Sequence, residues 1–151
     1  MDKLGIVFII ILALGIASCD SFEDGGTSFT DLEFQRESLI RTWINDDVIL
    51  DNVNVSSEFQ DFQITFNEDN TWTATNGDPI FLGNGNWDFV PGDLNKLNVG
   101  NDIIIDIRFT IDRSQGNTLT MFFDTNGRAI GSGRVFGLTG DYIMKFSSIE
   151  Q

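Results

Sequence analysis

The chain has 151 residues, enough for one domain with a real core, and its 41% hydrophobic and 12% aromatic content is that of a folding sequence. Its 23 acidic against 9 basic residues give a net charge of -14, a field that repels phosphate backbones and anionic headgroups and leaves nucleic acid a poor partner. It has no histidine and one cysteine, Cys19, which rules out Ser-His-Asp, Cys-His and His-based zinc sites as well as an intrachain disulfide.

In chain order, Lys3 opens a short charged region, Leu4 to Ile16 is almost wholly apolar, and the small pair Ala17-Ser18 precedes Cys19. The apolar run is shorter than the roughly 20 residues that span a bilayer core. This layout reads as a cleavable targeting segment. With Cys19 directly after the small pair, Ile16-Ala17-Ser18-Cys19 resembles a bacterial lipoprotein signal. The resemblance implies a signal peptide over 1–18, cleavage before Cys19, and acyl chains of the palmitate type on its sulfur and new amino group. An ordinary secretory signal with a chance cysteine and an uncleaved anchor are the alternatives. Residues 19–29 read as a lipidated tether, and 30–151 as the folded domain. Asp2 and Lys3 leave together, so the mature charge is unchanged. Asp20, Glu23 and Asp24 resemble the acidic stretch of surface-exported lipoproteins, and a solvated linker explains them equally. The expected location is the bacterial envelope at the outer membrane, on either face. The membrane partner is reached through the lipids on Cys19.

Thr30-Asp31-Leu32-Glu33 predicts a helix over about 30–38, with Thr30 and Glu33 as a capping box and Phe29 against Phe34 as a staple. After it the apolar period becomes two. Thr42 to Leu50 predicts a strand, with Asp46-Asp47 as a turn or bulge. Phe62, Ile64 and Phe66 alternate with polar residues, as do Trp72 and Ala74 beyond the turn at Asn67 to Asn70. Gly85, Trp87 and Phe89 form a short face ended by Pro91-Gly92. Leu94, Leu97 and Val99 precede Gly100-Asn101. Ile103, Ile105, Ile107, Phe109 and Ile111 predict one inward face, with Ile104 the exception. Leu119, Met121 and Phe123 follow, then a weak strand at Val135-Phe136, and finally Tyr142, Met144 and Phe146. Seven to nine short strands joined by Asn, Asp and Gly turns predict an all-β antiparallel sandwich or barrel.

Three stretches sharpen that choice. Leu39-Ile40-Arg41-Thr42-Trp43 resembles a Leu-x-Gly-x-Trp opening strand. Ile64 to Thr73 followed by Gly85-Asn86-Trp87 resembles a central hairpin and a Gly-x-Trp strand. Asn117 to Met121 with Tyr142 to Phe146 resembles a closing pair. Their order is similar to that of the lipocalin-like lipoproteins of Bacteroidetes, over most of residues 38–147. The resemblance implies an up-and-down β-barrel of about eight strands, open at one end and in some members holding a small apolar ligand. Arg41 stands where that family has Gly, which puts the start of the first strand in doubt or marks a bulge there.

For function, Trp43, Phe66, Trp72, Trp87, Phe109 and Tyr142 are the candidate ligand-lining residues, each as readily a core residue. Asp69-Asn70 and Asp124 with Asn126 are oxygen-rich turns, too poor in acids for a calcium site, so no metal is assigned. Asp46 and Asp47, adjacent on a strand, would face opposite sides and make no catalytic pair. Asn54-Val55-Ser56 matches a glycosylation pattern that belongs to eukaryotic secretion. No catalytic residue and no cofactor is expected. The leading expectation is a lipid-anchored barrel that binds a small apolar or amphipathic ligand. The second is a solid barrel that contacts a cell-surface protein or glycan through loops such as Gly131-Ser132-Gly133-Arg134.

Overall fold

A computed structural model describes residues 30–100, 103–112, 116–125, 129–131 and 139–148. Helix α1 (Asp31–Leu39) starts where the capping box predicts. Thr30 Oγ1 accepts from the Glu33 amide at 3.2 Å, and Glu33 Oε2 accepts from the Thr30 amide at 2.8 Å. These bonds satisfy N–H groups that have no partner within the helix. Phe29 lies outside the described residues, and Phe34 is exposed.

The strands are β1 (Thr42–Leu50), β2 (Val53–Asn54), β3 (Gln63–Phe66), β4 (Thr71–Thr75), β5 (Phe81–Leu82), β6 (Asn84–Asn86), β7 (Asp88–Val90), β8 (Asp93–Asn98), β9 (Ile104–Asp112), β10 (Gly116–Asp124), β11 (Ile130–Gly131) and β12 (Asp141–Ser148). Hydrogen bonding links them in the order β6-β4-β3-β1-β12-β10-β9-β8-β7. First and last long strands pair, as an up-and-down barrel requires, with Trp43 opposite Ser148 and Leu50 opposite Tyr142. The two ends of that path, β6 and β7, are separated only by Trp87. They are successive pieces of one bent strand that pairs first with β4 and then with β8. The result is an antiparallel, mostly closed barrel of about nine strands with one short helix, consistent with a lipocalin-like fold. Counting the bent strand once gives the expected eight.

The expected irregularity in β1 lies between Asn45 and Asp47. The bulge turns Asp46 outward to accept from Ser147 Oγ at 3.0 Å, while Asp47 accepts from Ser56 Oγ at 2.9 Å. Arg41 is not in the strand. It sits at the bend after α1, donates to the Glu37 carbonyl at 3.2 Å, and lies over the Trp43 ring.

Inward positions of β9 follow the alternation through Ile107, and Ile104 is exposed as read. Ile111 corrects the pattern, being 46% exposed. The β8–β9 ladder covers only Ile104 to Asp106, whereas the β9–β10 ladder runs on to Asp112. That hairpin outruns the barrel, so its last inward position has no core to meet. The Val135-Phe136 strand, Phe29 and the turn residues Asn126 and Ser132 to Arg134 lie outside the described residues.

Connectivity gives the barrel two unlike ends. One carries α1 and the tight turns after β3 and β7. The other, the mouth, carries the longer connections after β1, β4 and β10. Two of those mouth connections meet: β5 and β11 pair in parallel, Phe81 opposite Ile130, with the Ile130 amide donating to the Ile80 carbonyl at 2.6 Å.

Candidate functional site

The six aromatic positions named from sequence lie inside the barrel wall. Trp43, Phe66, Trp72, Trp87 and Tyr142 are buried, and Phe109 is half-buried. All six belong to or pack against one continuous core, with Phe66 directly opposite Trp72 across β3 and β4, and their ring-to-ring contacts fall into separate groups. Near the helix end, Trp43 meets Phe109 at 6.2 Å and Phe66 meets Trp87 edge-on at 5.8 Å between centroids. Arg36 of α1 lies over the Trp87 ring and donates to Asn70 Oδ1, which ties the helix to the barrel. Toward the mouth, Trp72 meets Phe81 at 5.7 Å and Tyr142 stacks on Phe123 at 5.3 Å.

Phe81 is the residue that sequence reading missed. It is 1% exposed and touches Phe62, Trp72 and Phe123, all within 5.8 Å between ring centroids. Its short strand carries no alternation, and the partner that holds it, Ile130, is far along the chain. Gly77 makes the insertion possible, because a Cβ there would lie 2.8 Å from both the Phe62 ring and the Phe81 carbonyl. Phe81 therefore fills the space beneath the mouth with an aromatic ring.

The polar handles of the interior are also engaged. The indole N–H of Trp43 donates to the Leu39 carbonyl at 3.0 Å, that of Trp87 to the Thr71 carbonyl at 3.0 Å, and that of Trp72 to the Val99 carbonyl at 3.4 Å. An indole donor that would orient a bound molecule already has a backbone acceptor in each case. Burial, with the Glu58 and Asp51 carboxylates adding, pushes the Tyr142 phenol up to about 12.

Outside the barrel, a cleft of about 560 Å³ opens at the seam between β6 and the end of β8. Outward-facing Thr71 and Thr73 stand opposite Asn86 and Asn84, and Val99 and Gly100 form the far side. Trp72 is its floor. Its cross-strand partner is Gly85, where a Cβ would lie 2.7 Å from the indole. Only glycine lets the indole pass beneath that strand and bridge the seam to Val99. The lining is uncharged and carries both donors and acceptors, which suits a neutral hydrogen-bonding partner better than an ion. A second cleft, of about 580 Å³, lies on the outer wall beside Asn95, Asp106, Arg108 and Phe122.

The Asp69-Asn70 turn has a local role. Asp69 Oδ1 accepts from the Thr71 amide at 3.1 Å and from its hydroxyl at 2.6 Å; that hydroxyl and then that amide hold the Asp69 carboxyl below its ordinary value. Among the described residues no three of His, Cys, Asp and Glu converge on a possible metal position, and no helix is long and apolar enough to cross a membrane. No protein-family model, no curated protein and no solved structure matches this chain.

Proposed function

We propose that this chain is a lipid-tethered, non-enzymatic recognition module of the bacterial envelope, with a barrel filled by its own aromatic side chains and a binding surface on its outside. The observation that carries this reading is Phe81, inserted among Phe62, Trp72 and Phe123 under the mouth. A calyx that held a small apolar ligand would need that volume, and also the indole donors now engaged with backbone carbonyls. Recognition then falls to the wall, where the neutral seam cleft offers amides and hydroxyls to a protein or glycan. The missing histidine and the acylated state proposed for Cys19 support a role without catalysis. The resemblance to lipocalin-like lipoproteins of Bacteroidetes supports the envelope location.

Two measurements test this. Full-length protein in detergent is used to capture partners from envelope extracts, and in parallel is titrated with fatty acids and small hydrophobes while tryptophan emission is followed. A stoichiometric protein or glycan partner and no saturable quenching is the expected result. Saturable quenching by an apolar molecule, without a captured partner, returns the function to the barrel interior. For the tether, Cys19→Ala is expected to abolish acyl labelling and release the protein from membranes. Unchanged anchoring overturns the lipid premise.

A further inference from the structure

The outer wall holds an arginine whose situation differs from that of the other described cations, which are Arg36, Arg41, Lys96 and Lys145. Arg36 donates to the Glu68 carbonyl and to Asn70, and Arg41 donates to the Glu37 carbonyl. Lys96 pairs with Asp106, and Lys145 lies 3.6 Å from Asp47. Arg108 has neither a carboxylate nor a hydrogen-bond acceptor among the described residues; its guanidinium lies over the face of Phe122, 4.8 Å from its central carbon to the ring centroid.

This is not for want of carboxylates, since acidic residues outnumber basic ones 23 to 9. The local arrangement keeps them away. Asp106, two residues earlier on the same outward face, is taken by Lys96. Across β10, Arg108 stands opposite Thr120, and beyond that comes Lys145, held by Asp47. Stacking on a ring leaves the planar N–H fork of a guanidinium free at its edge, where it matches a carboxylate with two parallel hydrogen bonds. The cleft of about 580 Å³ opens at this point, and its lining includes the exposed amide residue Asn95 and the half-buried ring of Phe122.

We infer that this cleft is a carboxylate-recognition site. Arg108 grips the anion through its fork, Phe122 supports the apolar or aromatic body that bears it, and Asn95 supplies a further hydrogen bond. Asp106 at the rim and the overall charge of -14 select a single carboxylate against a dianion. The inference deepens the outer-wall reading and rests on it. The same chemistry is carried by a free aromatic acid and by the C-terminus of a polypeptide ending in an apolar residue.

The test is an NMR titration of isotope-labelled full-length protein in detergent micelles with phenylacetate, and with phenylacetamide as its uncharged twin. Saturable shifts at the Arg108 Nε–H and the Asn95 side-chain amide with the acid alone are expected. Arg108→Lys, which keeps the charge and loses the fork, is expected to weaken binding about tenfold, and Arg108→Gln to abolish it at an unchanged unfolding midpoint. A second arm compares short peptides ending in Phe with a free or an amidated C-terminus. Tighter binding of the free-acid peptide than of phenylacetate assigns the polypeptide source, and the reverse order assigns the small acid. Equal shifts from phenylacetamide, or undiminished binding by Arg108→Gln, overturn the site. If envelope partners are still captured by Arg108→Gln, outer-wall recognition stands and only this site fails.

Discussion

The two ends of the barrel are both closed, by opposite means. The helix end is closed by a local device: nine residues capped by their own Thr30 and Glu33, with Arg36 reaching to Asn70 and the Trp87 face. The mouth is closed by a long-range one: two dipeptide strands from distant connections, pairing so that Phe81 and Ile130 are buried. Stability is thus concentrated at the mouth, and the helix end adds smaller, local contributions. Polar caps at a surface contribute modest, separable increments, whereas an aromatic ring surrounded by others contributes through packing that fails as a unit.

Phe81→Ala challenges this contrast most directly. It removes the mouth plug and is expected to cost about 3–5 kcal/mol in urea unfolding. The same change at Phe34, exposed on α1, is expected to stay within about 0.5 kcal/mol. If the two variants unfold alike, the mouth is not closed by Phe81. Gly85→Ala tests the seam between the ends. Its methyl group meets the Trp72 indole, so a loss of about 1–3 kcal/mol and a shifted tryptophan emission are expected. Unaltered emission would mean that the indole does not bridge the seam.

Alkaline titration acts on the mouth more mildly. Tyr142 is the chain's single tyrosine, so tyrosinate absorbance reports on it alone. Its phenol sits at about 12 in the folded protein, against about 10 in an unfolded chain. The folded state therefore holds the proton more tightly. The stabilisation is complete below about pH 10 and is lost as pH rises toward 12. Absorbance that rises near pH 10 in the native protein would place the phenol in water. A milder loss than those at the mouth and the seam is expected at the helix cap, where Thr30→Ala should cost about 1 kcal/mol in thermal or urea unfolding. The Glu33 carboxyl, held low first by the Thr30 amide and then by its hydroxyl, should move only part of the way back toward its ordinary range in that variant, because alanine keeps the amide and removes the hydroxyl, as side-chain NMR would report.

Much of this contrast is legible in the residues. The capping box, the β1 bulge at Asp46-Asp47, the outward Ile104 and the alternation of β9 are set by neighbours a few positions apart, and they appear where read. Ile111 departs from the pattern because alternation states which side a residue faces, not whether a core exists there. The aromatic candidates were found by type, but their arrangement into a helix-end group and a mouth group was not. Phe81 stayed hidden because a two-residue strand has no period. Arg108 carries no signal of its own in the sequence, because its lack of a carboxylate among the described residues is a property of its neighbours across three strands.

An all-β chain with one capped helix and strands of fixed facing follows from the residues alone, because hydrogen bonding and side-chain period act over a few positions. The exclusions follow from them too, since a chain without histidine has none in any fold. Tertiary packing alone makes the bent strand around Trp87 link β4 to β8, places Phe81 under the mouth, and leaves Arg108 without a carboxylate among the described residues. Each of these depends on which distant segments lie side by side, and that is chosen by the packing of the whole core.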